Sequence, residues 1–317
     1  MRARLFIALG ALAAMGWAVP SAGTAPFIVE AAAREVYRTA PLPLPVRLRI
    51  NRERGLLVST WINGRGPYLF AVDTGAGLNI ITQRVVDDAH LPTRSALPTI
   101  MGGLTGARTT SNREAVINQL ALGDRANVVP ATKIGLVVPI LTSGLDGVLD
   151  PTDIYSPYGY SIDMPNQRIE AIDTISRDTK PERANQSGEG AIVPWLRLGN
   201  GVRPFVRLGD GRLALIDTGS GFGLAVNARN AVVVGNRRNN RPSESTRDIA
   251  GGAIHSRRVS PTTISIGELV LQRVPTDILY GVEDDAPVIL GRDVLHPFKI
   301  TFDPQRRLIE IVTSERP

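Results

Sequence analysis

The sequence predicts an all-β protein with a few short helices, folded as two similar halves that share one site. Three observations carry this expectation. First, the chain repeats itself. Tyr68-Leu69-Phe70-Ala71-Val72-Asp73-Thr74-Gly75-Ala76 reads like Leu213-Ala214-Leu215-Ile216-Asp217-Thr218-Gly219-Ser220, and Leu120-Ala121-Leu122-Gly123-Asp124 reads like Ile264-Ser265-Ile266-Gly267-Glu268 at the same offset. Towards the end of each half, Ile162-Asp163 followed by Ile169-Glu170 matches Phe302-Asp303 followed by Ile309-Glu310. Landmarks repeated in one order predict homologous lobes, over 43–176 and 190–317. Second, each lobe is a series of short β-branched or aromatic runs separated by turn residues, which favours antiparallel sheets or a small barrel over a doubly wound α/β domain. Third, residues 177–189 between the lobes are almost wholly polar, a composition that buries too little surface to order itself and serves as a linker.

From the amino terminus, Arg2 and Arg4 precede an apolar stretch over 5–19, and Ser21, Ala22 and Gly23 follow. That order is a cleavable secretory signal, so residues 1–23 are expected to be a signal peptide. The stretch is short for a spanning helix of about 20 residues, and no later segment approaches that length without charges, so no membrane span is expected after signal removal. With no cysteine at the cleavage region a lipid anchor is excluded. The expected product is exported, either periplasmic or secreted. Residues 24–42 form an arm, Pro-rich over 40–45, without a counterpart in the second half. Strands are expected over 46–50, 56–62 and 68–72, the last two joined at Asn63-Gly64, because both residues tolerate the positive φ of a tight hairpin. Thr82 is placed to cap a short helix over 84–90. In the second lobe strands over 205–208 and 213–216 flank a turn at Asp210-Gly211.

The net charge of +6 rests almost wholly on arginine, the lysines being Lys133, Lys180 and Lys299. The arginines are scattered, and the densest group, Arg237, Arg238 and Arg241, has no interleaved aromatic on which a base could stack. Nucleic acid is therefore not an expected partner. The absence of cysteine removes disulfides and thiolate chemistry. His90, His255 and His296 are far apart and form no H-E-x-x-H pattern, so no metal or cofactor is implied. Gly219-Ser220-Gly221-Phe222-Gly223 has the spacing of neither a nucleophile elbow nor a dinucleotide loop.

Carboxylates remain. An aspartate that follows an apolar strand and precedes Thr-Gly is costly to bury alone, because desolvation disfavours its charged form. If the two lobes pack about a pseudo-two-fold axis, Asp73 and Asp217 meet, and two carboxylates in contact share a proton. The ionised member can then act as a general base on water while the protonated one donates to a substrate carbonyl. Gly75 and Gly219 are expected to let the backbone turn beneath the carboxylates, and the hydroxyls of Thr74 and Thr218 to hydrogen-bond across the axis.

These residues resemble the aspartic peptidases of the pepsin and retropepsin type, in particular bacterial two-lobed proteins of fused retropepsin-like domains. The resemblance covers nearly the whole mature chain. It implies two homologous acid-protease lobes with the active site at their interface, a peptide or protein substrate, and a site that a monomer suffices to build. Each lobe of that family supplies one Asp-Thr-Gly-Ala/Ser motif, and both are complete at Asp73 and Asp217. A later apolar-apolar-Gly motif fits Val288-Ile289-Leu290-Gly291-Arg292-Asp293. The first lobe departs, with Asp150 after Gly147-Val148-Leu149 and a one-residue lengthening through Pro151 and Thr152, which bears on the geometry or ionisation of that half. The family's hairpin flaps would correspond to Met101-Gly102-Gly103-Leu104-Thr105-Gly106 and Ala250-Gly251-Gly252-Ala253-Ile254, with the glycine pairs in matched positions. The leading reading is an exported endopeptidase. Its rival is a weak or inactive peptide-binding protein of the cell envelope in which Asp150 marks a decayed first lobe.

Overall fold

The computed structural model describes residues 41–130, 132–141, 144–174, 190–198, 201–229 and 244–314. The predicted signal peptide, the arm up to residue 40, the linker and the arginine cluster at 237–241 lie outside the described residues. Among those described, strands dominate and fall into three sheets of nine, seven and six, with short helices at Gln83–Asp88, Pro151–Ile154 and Arg292–Leu295. The all-β expectation holds.

The nine-stranded sheet comes from the first half and the seven-stranded sheet from the second, and their strands follow the same order. In the first half Gly55–Ile62 pairs antiparallel with Arg65–Val72, which lies parallel to Gly147–Leu149; next come Asn79–Thr82, Lys133–Val138, Arg108–Ile117 and Thr93–Gly102. In the second half Phe205–Arg207 pairs antiparallel with Leu213–Ile216, which lies parallel to Val288–Leu290; next come Leu224–Asn227, Leu269–Tyr280, Ala253–Ile266 and Glu244–Arg247. The hairpin at Asn63-Gly64 forms as its residues require, with φ of 48° and 76°.

The six-stranded sheet is built by both halves. Val46–Arg47, Arg168–Ile172 and Gly159–Asp163 come from the first, and Phe298–Asp303, Leu308–Thr313 and Gly190–Pro194 from the second. The seam is antiparallel, with Tyr160 opposite Phe302 and Ile162 opposite Ile300. Landmarks that matched in the sequence thus end up hydrogen-bonded to each other. Behind the seam Tyr160 and Phe302, both fully buried, stack with ring centres 4.6 Å apart, and Trp195 meets Phe302 edge-on at 5.9 Å. One apolar cluster runs from Val46 through these rings to Ile311, so residues from Pro41 onward form a single compact unit.

Two local expectations change. The run over 46–50 is not one strand. It breaks at the buried Leu48, sending Val46–Arg47 to the shared sheet and Arg49–Asn51 to the nine-stranded one. Alternation along the run satisfies both sheets, so the pattern alone hides the switch. Thr82 does hold the N-cap position, but its side chain makes no capping bond, and the helix ends earlier, at Asp88.

Because the shared core joins the halves, Phe302→Ala is expected to cost about 3–5 kcal/mol. In denaturant the loss should appear as a lower midpoint of one cooperative transition, whereas two separated transitions would show that the halves fold independently.

Candidate active site

Each of the two repeated aspartates begins where an apolar strand ends. Arg65–Val72 leads into Asp73 and Leu213–Ile216 into Asp217. The chain would fray there without help. The parallel neighbour supplies it, since Asp73 N–H donates to Leu149 O at 3.0 Å and Asp217 N–H to Leu290 O at 3.0 Å. This is the use of the apolar triplets Gly147–Leu149 and Val288–Leu290.

The two loops then lock to each other. Thr74 N–H donates to Thr218 Oγ1 at 3.1 Å and Thr218 N–H to Thr74 Oγ1 at 3.1 Å. Each hydroxyl in turn donates to the strand opposite, Thr74 Oγ1 to Ile216 O at 2.7 Å and Thr218 Oγ1 to Val72 O at 3.2 Å. All these groups are buried, so every donor has a partner. Gly75 and Gly219 are needed, though not for a turn, because neither has a positive φ. A Cβ on Gly75 would lie 2.8 Å from Asp217 Cγ, and one on Gly219 would lie 2.4 Å from Asp73 Oδ2. The facing carboxylate occupies the space that a side chain would fill.

The carboxyls hydrogen-bond to each other. Both residues are partly exposed, as groups that must reach a substrate have to be. Burial raises Asp73 above the usual carboxylate range, while amide donors from Gly75 and Gly219 and the Arg292 charge oppose that rise. Asp217 is pushed up to about 8, first by burial and then by the Asp73 charge. Asp217 Oδ1 does accept from Ser220 N–H at 3.0 Å. Both carboxyls are raised and each feels the other, so the pair holds one proton between them. Among the described residues no group of carboxylates and histidines is disposed to hold a metal ion.

The sequence reading placed Arg292 in a motif without giving it work. It is buried, and its guanidinium donates to Thr218 O at 2.8 Å, Gly219 O at 2.6 Å and Arg52 O at 2.7 Å. It therefore ties the second aspartate loop to the 51–55 turn of the first half while placing a cation near the dyad. The signal for it was an arginine directly after an apolar-Gly motif.

The departure at Asp150 has a local cause. In the second half Gly291 N–H donates to Gly223 O at 2.9 Å, and a Cβ on Gly291 would strike Phe222 O at 2.3 Å. In the first half Asp150 N–H donates instead to the Asn79 side chain at 3.0 Å. Asn79 thus replaces a main-chain acceptor, and space opens for an aspartate. Asp150 uses that space to cap the helix Pro151–Ile154, accepting from Thr152 N–H at 2.9 Å. Asp-Pro-Thr was readable as a helix start, an N-cap residue followed by proline at the first helical position.

The predicted flap residues fall on two hairpin tips, 103–107 between Thr93–Gly102 and Arg108–Ile117, and 248–252 between Glu244–Arg247 and Ala253–Ile266. Their glycines are not in matched positions. Gly102 and Gly103 lead into the first tip, while Gly251 and Gly252 lead out of the second, where the position matching Gly103 is Asp248.

Part of the chain and its overall fold are similar to known proteins. Residues 58–149 match the profile of a family described as aspartyl protease. The crystal structure of aspartic proteinase from Irpex lacteus is similar with a TM-score of 0.54 at 12% identity, over 86% of this chain and 97% of that one. No curated protein matches the chain in sequence. The profile match over residues 58–149 and the likeness in fold both point to the aspartic-peptidase type.

Burial pushes the Asp150 carboxyl up to about 7. A raised carboxyl favours the folded state only at low pH, and that advantage is lost as pH climbs from the unfolded value near 4 to about 7. Asp150→Asn keeps an acceptor for Thr152 without the titration. Its stability relative to the parent is therefore expected to match at pH 4 and to gain a few kcal/mol by pH 7. Parallel thermal-unfolding curves across that range would contradict the assignment.

Proposed function

We propose that this chain of the aspartic-peptidase type is an exported endopeptidase that cleaves peptide bonds with Asp73 and Asp217 as a proton-sharing pair. The observation that carries the reading is the approach of the two carboxyls, each set against the glycine of the opposite loop and held by the reciprocal threonine bonds. The matched strand orders support a duplicated chain with lobes over 43–176 and 190–317, and residues 1–23 support export.

In this reading Asp73 carries the charge and Asp217 the shared proton. Ionised Asp73 accepts a proton from a water as its oxygen attacks the peptide carbonyl carbon, and Asp217 gives its proton to the carbonyl oxygen. The tetrahedral diol then collapses. Its carbon–nitrogen bond breaks as Asp73 passes its proton to the nitrogen, and Asp217 recovers one from the diol hydroxyl. Charge never accumulates on both carboxyls at once. Asp150 does not argue for decay in this reading, because it caps a helix that exists.

Asp217→Asn and Asp73→Asn are each expected to lower kcat by about 10⁴-fold or more with little change in thermal stability. In the parent, kcat/KM should follow a bell. Its acid limb lies above the usual carboxylate range, because Asp73 is raised, and its alkaline limb lies near pH 8, where Asp217 loses the shared proton. Digestion of a mixed peptide library across pH 3–9 checks both expectations. Activity surviving in either variant would sink the dyad, and an optimum below pH 3 would sink the assignment of its protons.

A further inference from the structure

The two hairpin tips are fastened to each other by one side chain. Asp248 Oδ2 accepts from Thr105 N–H at 3.0 Å and from Thr105 Oγ1 at 2.6 Å, and its Oδ1 accepts from Gly252 N–H at 2.8 Å. A single carboxylate thus grips the opposite hairpin and braces its own. The fit leaves no slack. A Cβ on Gly103 would lie 2.2 Å from Asp248 Cγ, and one on Gly252 would lie 1.8 Å from Thr105 Oγ1. These glycines make room for the fastening, which explains why the pairs sit on opposite shoulders. Two weaker ties flank it, Glu283 N–H to Leu104 O at 2.9 Å and an ion pair of Arg108 with Glu283 at 2.5 Å. That ion pair is exposed on both sides and holds little by itself.

Apolar tips complete the closure by crossing over. Leu104 of the first hairpin packs on the second-half cluster of Ala225, Ile254, Leu279 and Ile289, beside Phe222. Ile249 of the second hairpin packs on the first-half cluster that includes Ala71, Ile80 and Val148, beside Ala76 and Leu78. Ala76 and Phe222 lie in the two catalytic loops themselves. A cavity of about 500 Å³ lies on the flank of residues 77–79, and neither Asp73 nor Asp217 lines it.

We propose that Asp248 is a positioning residue that latches the two hairpins together across the catalytic loops, and that a peptide reaches the dyad only when this latch is released. The latch stands on geometry, while its consequence for substrate rests on the peptidase reading. Charge-assisted bonds to a carboxylate are about twice as strong as neutral ones, so removing Asp248 deletes the strongest contact between the tips.

Hydrogen exchange on the full chain, read by mass spectrometry, tests the latch without any need for activity. The amides of Thr105 and Gly252 are expected to exchange slowly in the parent and about tenfold faster or more in Asp248→Ala. Peptides carrying Asp73 and Asp217 should keep their rates. Thr105→Ser, which retains the hydroxyl, should behave as the parent does. If Asp248→Ala does not fold, Thr105→Val removes the hydroxyl's bond to Asp248, together with the one it accepts from Ala107 N–H within its own hairpin, and should accelerate the Thr105 and Gly252 amides by a smaller factor. Unchanged exchange, or acceleration spread evenly over the second half, overturns the latch. On a long peptide, Asp248→Ala should lower KM several-fold with kcat held, and a fall in kcat at constant KM overturns the role in admission. A protein that cleaves nothing yet shows the local change in exchange would refute the peptidase and leave the latch standing.

Discussion

Contact between two carboxyls in a largely dry setting is the constraint around which this molecule is organised. Like charges at that range cannot both persist, so the pair must hold a proton between them and must be kept from drifting apart to escape the repulsion. The holding is done by Thr74 and Thr218, which exchange two bonds between amide and hydroxyl and donate two more to the strand opposite. Gly75 and Gly219 then follow by exclusion, since each gives its side-chain space to the opposite acid. The motif Asp-Thr-Gly is in this sense one device. The acids share a proton, the threonine aligns, and the glycine yields room.

Much of this could be read from residues alone because the chain states it twice. Landmarks repeated in one order pointed to the halves, and the apolar runs before each aspartate pointed to the strands that carry them. What escaped the reading depends on partners distant in sequence. Arg292 bonds to carbonyls of Asn51 and Arg52, and main-chain acceptors leave no mark in a sequence. Leu48 marks a change of sheet that an unbroken alternation conceals. The glycines of the hairpins were noticed, but their purpose lay in side chains of the other half, Asp248 and Thr105, and so their positions were wrongly equated. Asp150 looked like damage only while Asn79 was ignored.

The halves are alike in strand order and unlike around the site. Gly291 in the second half corresponds to Asp150 in the first, Arg292 to Pro151, and Asp248 to Gly103. Two separate copies of one chain could not differ in this way. The difference has chemical content, for it sets a guanidinium against the second aspartate loop alone and gives one hairpin the acceptor that the other lacks.

The sheet that both halves build has a consequence for how the chain is made. Gly159–Asp163 pairs on one side with Arg168–Ile172, but its other neighbour is Phe298–Asp303, close to the carboxyl end. A ribosome adds about 5–20 residues per second, so the first half waits on the order of ten seconds with one edge bare. Such an edge, carrying Tyr160 and Ile162, invites pairing with any strand nearby, including that of another nascent chain. Successful folding therefore depends on sheltering this seam until the last strands arrive, and any pause in translation after residue 163 lengthens the exposure.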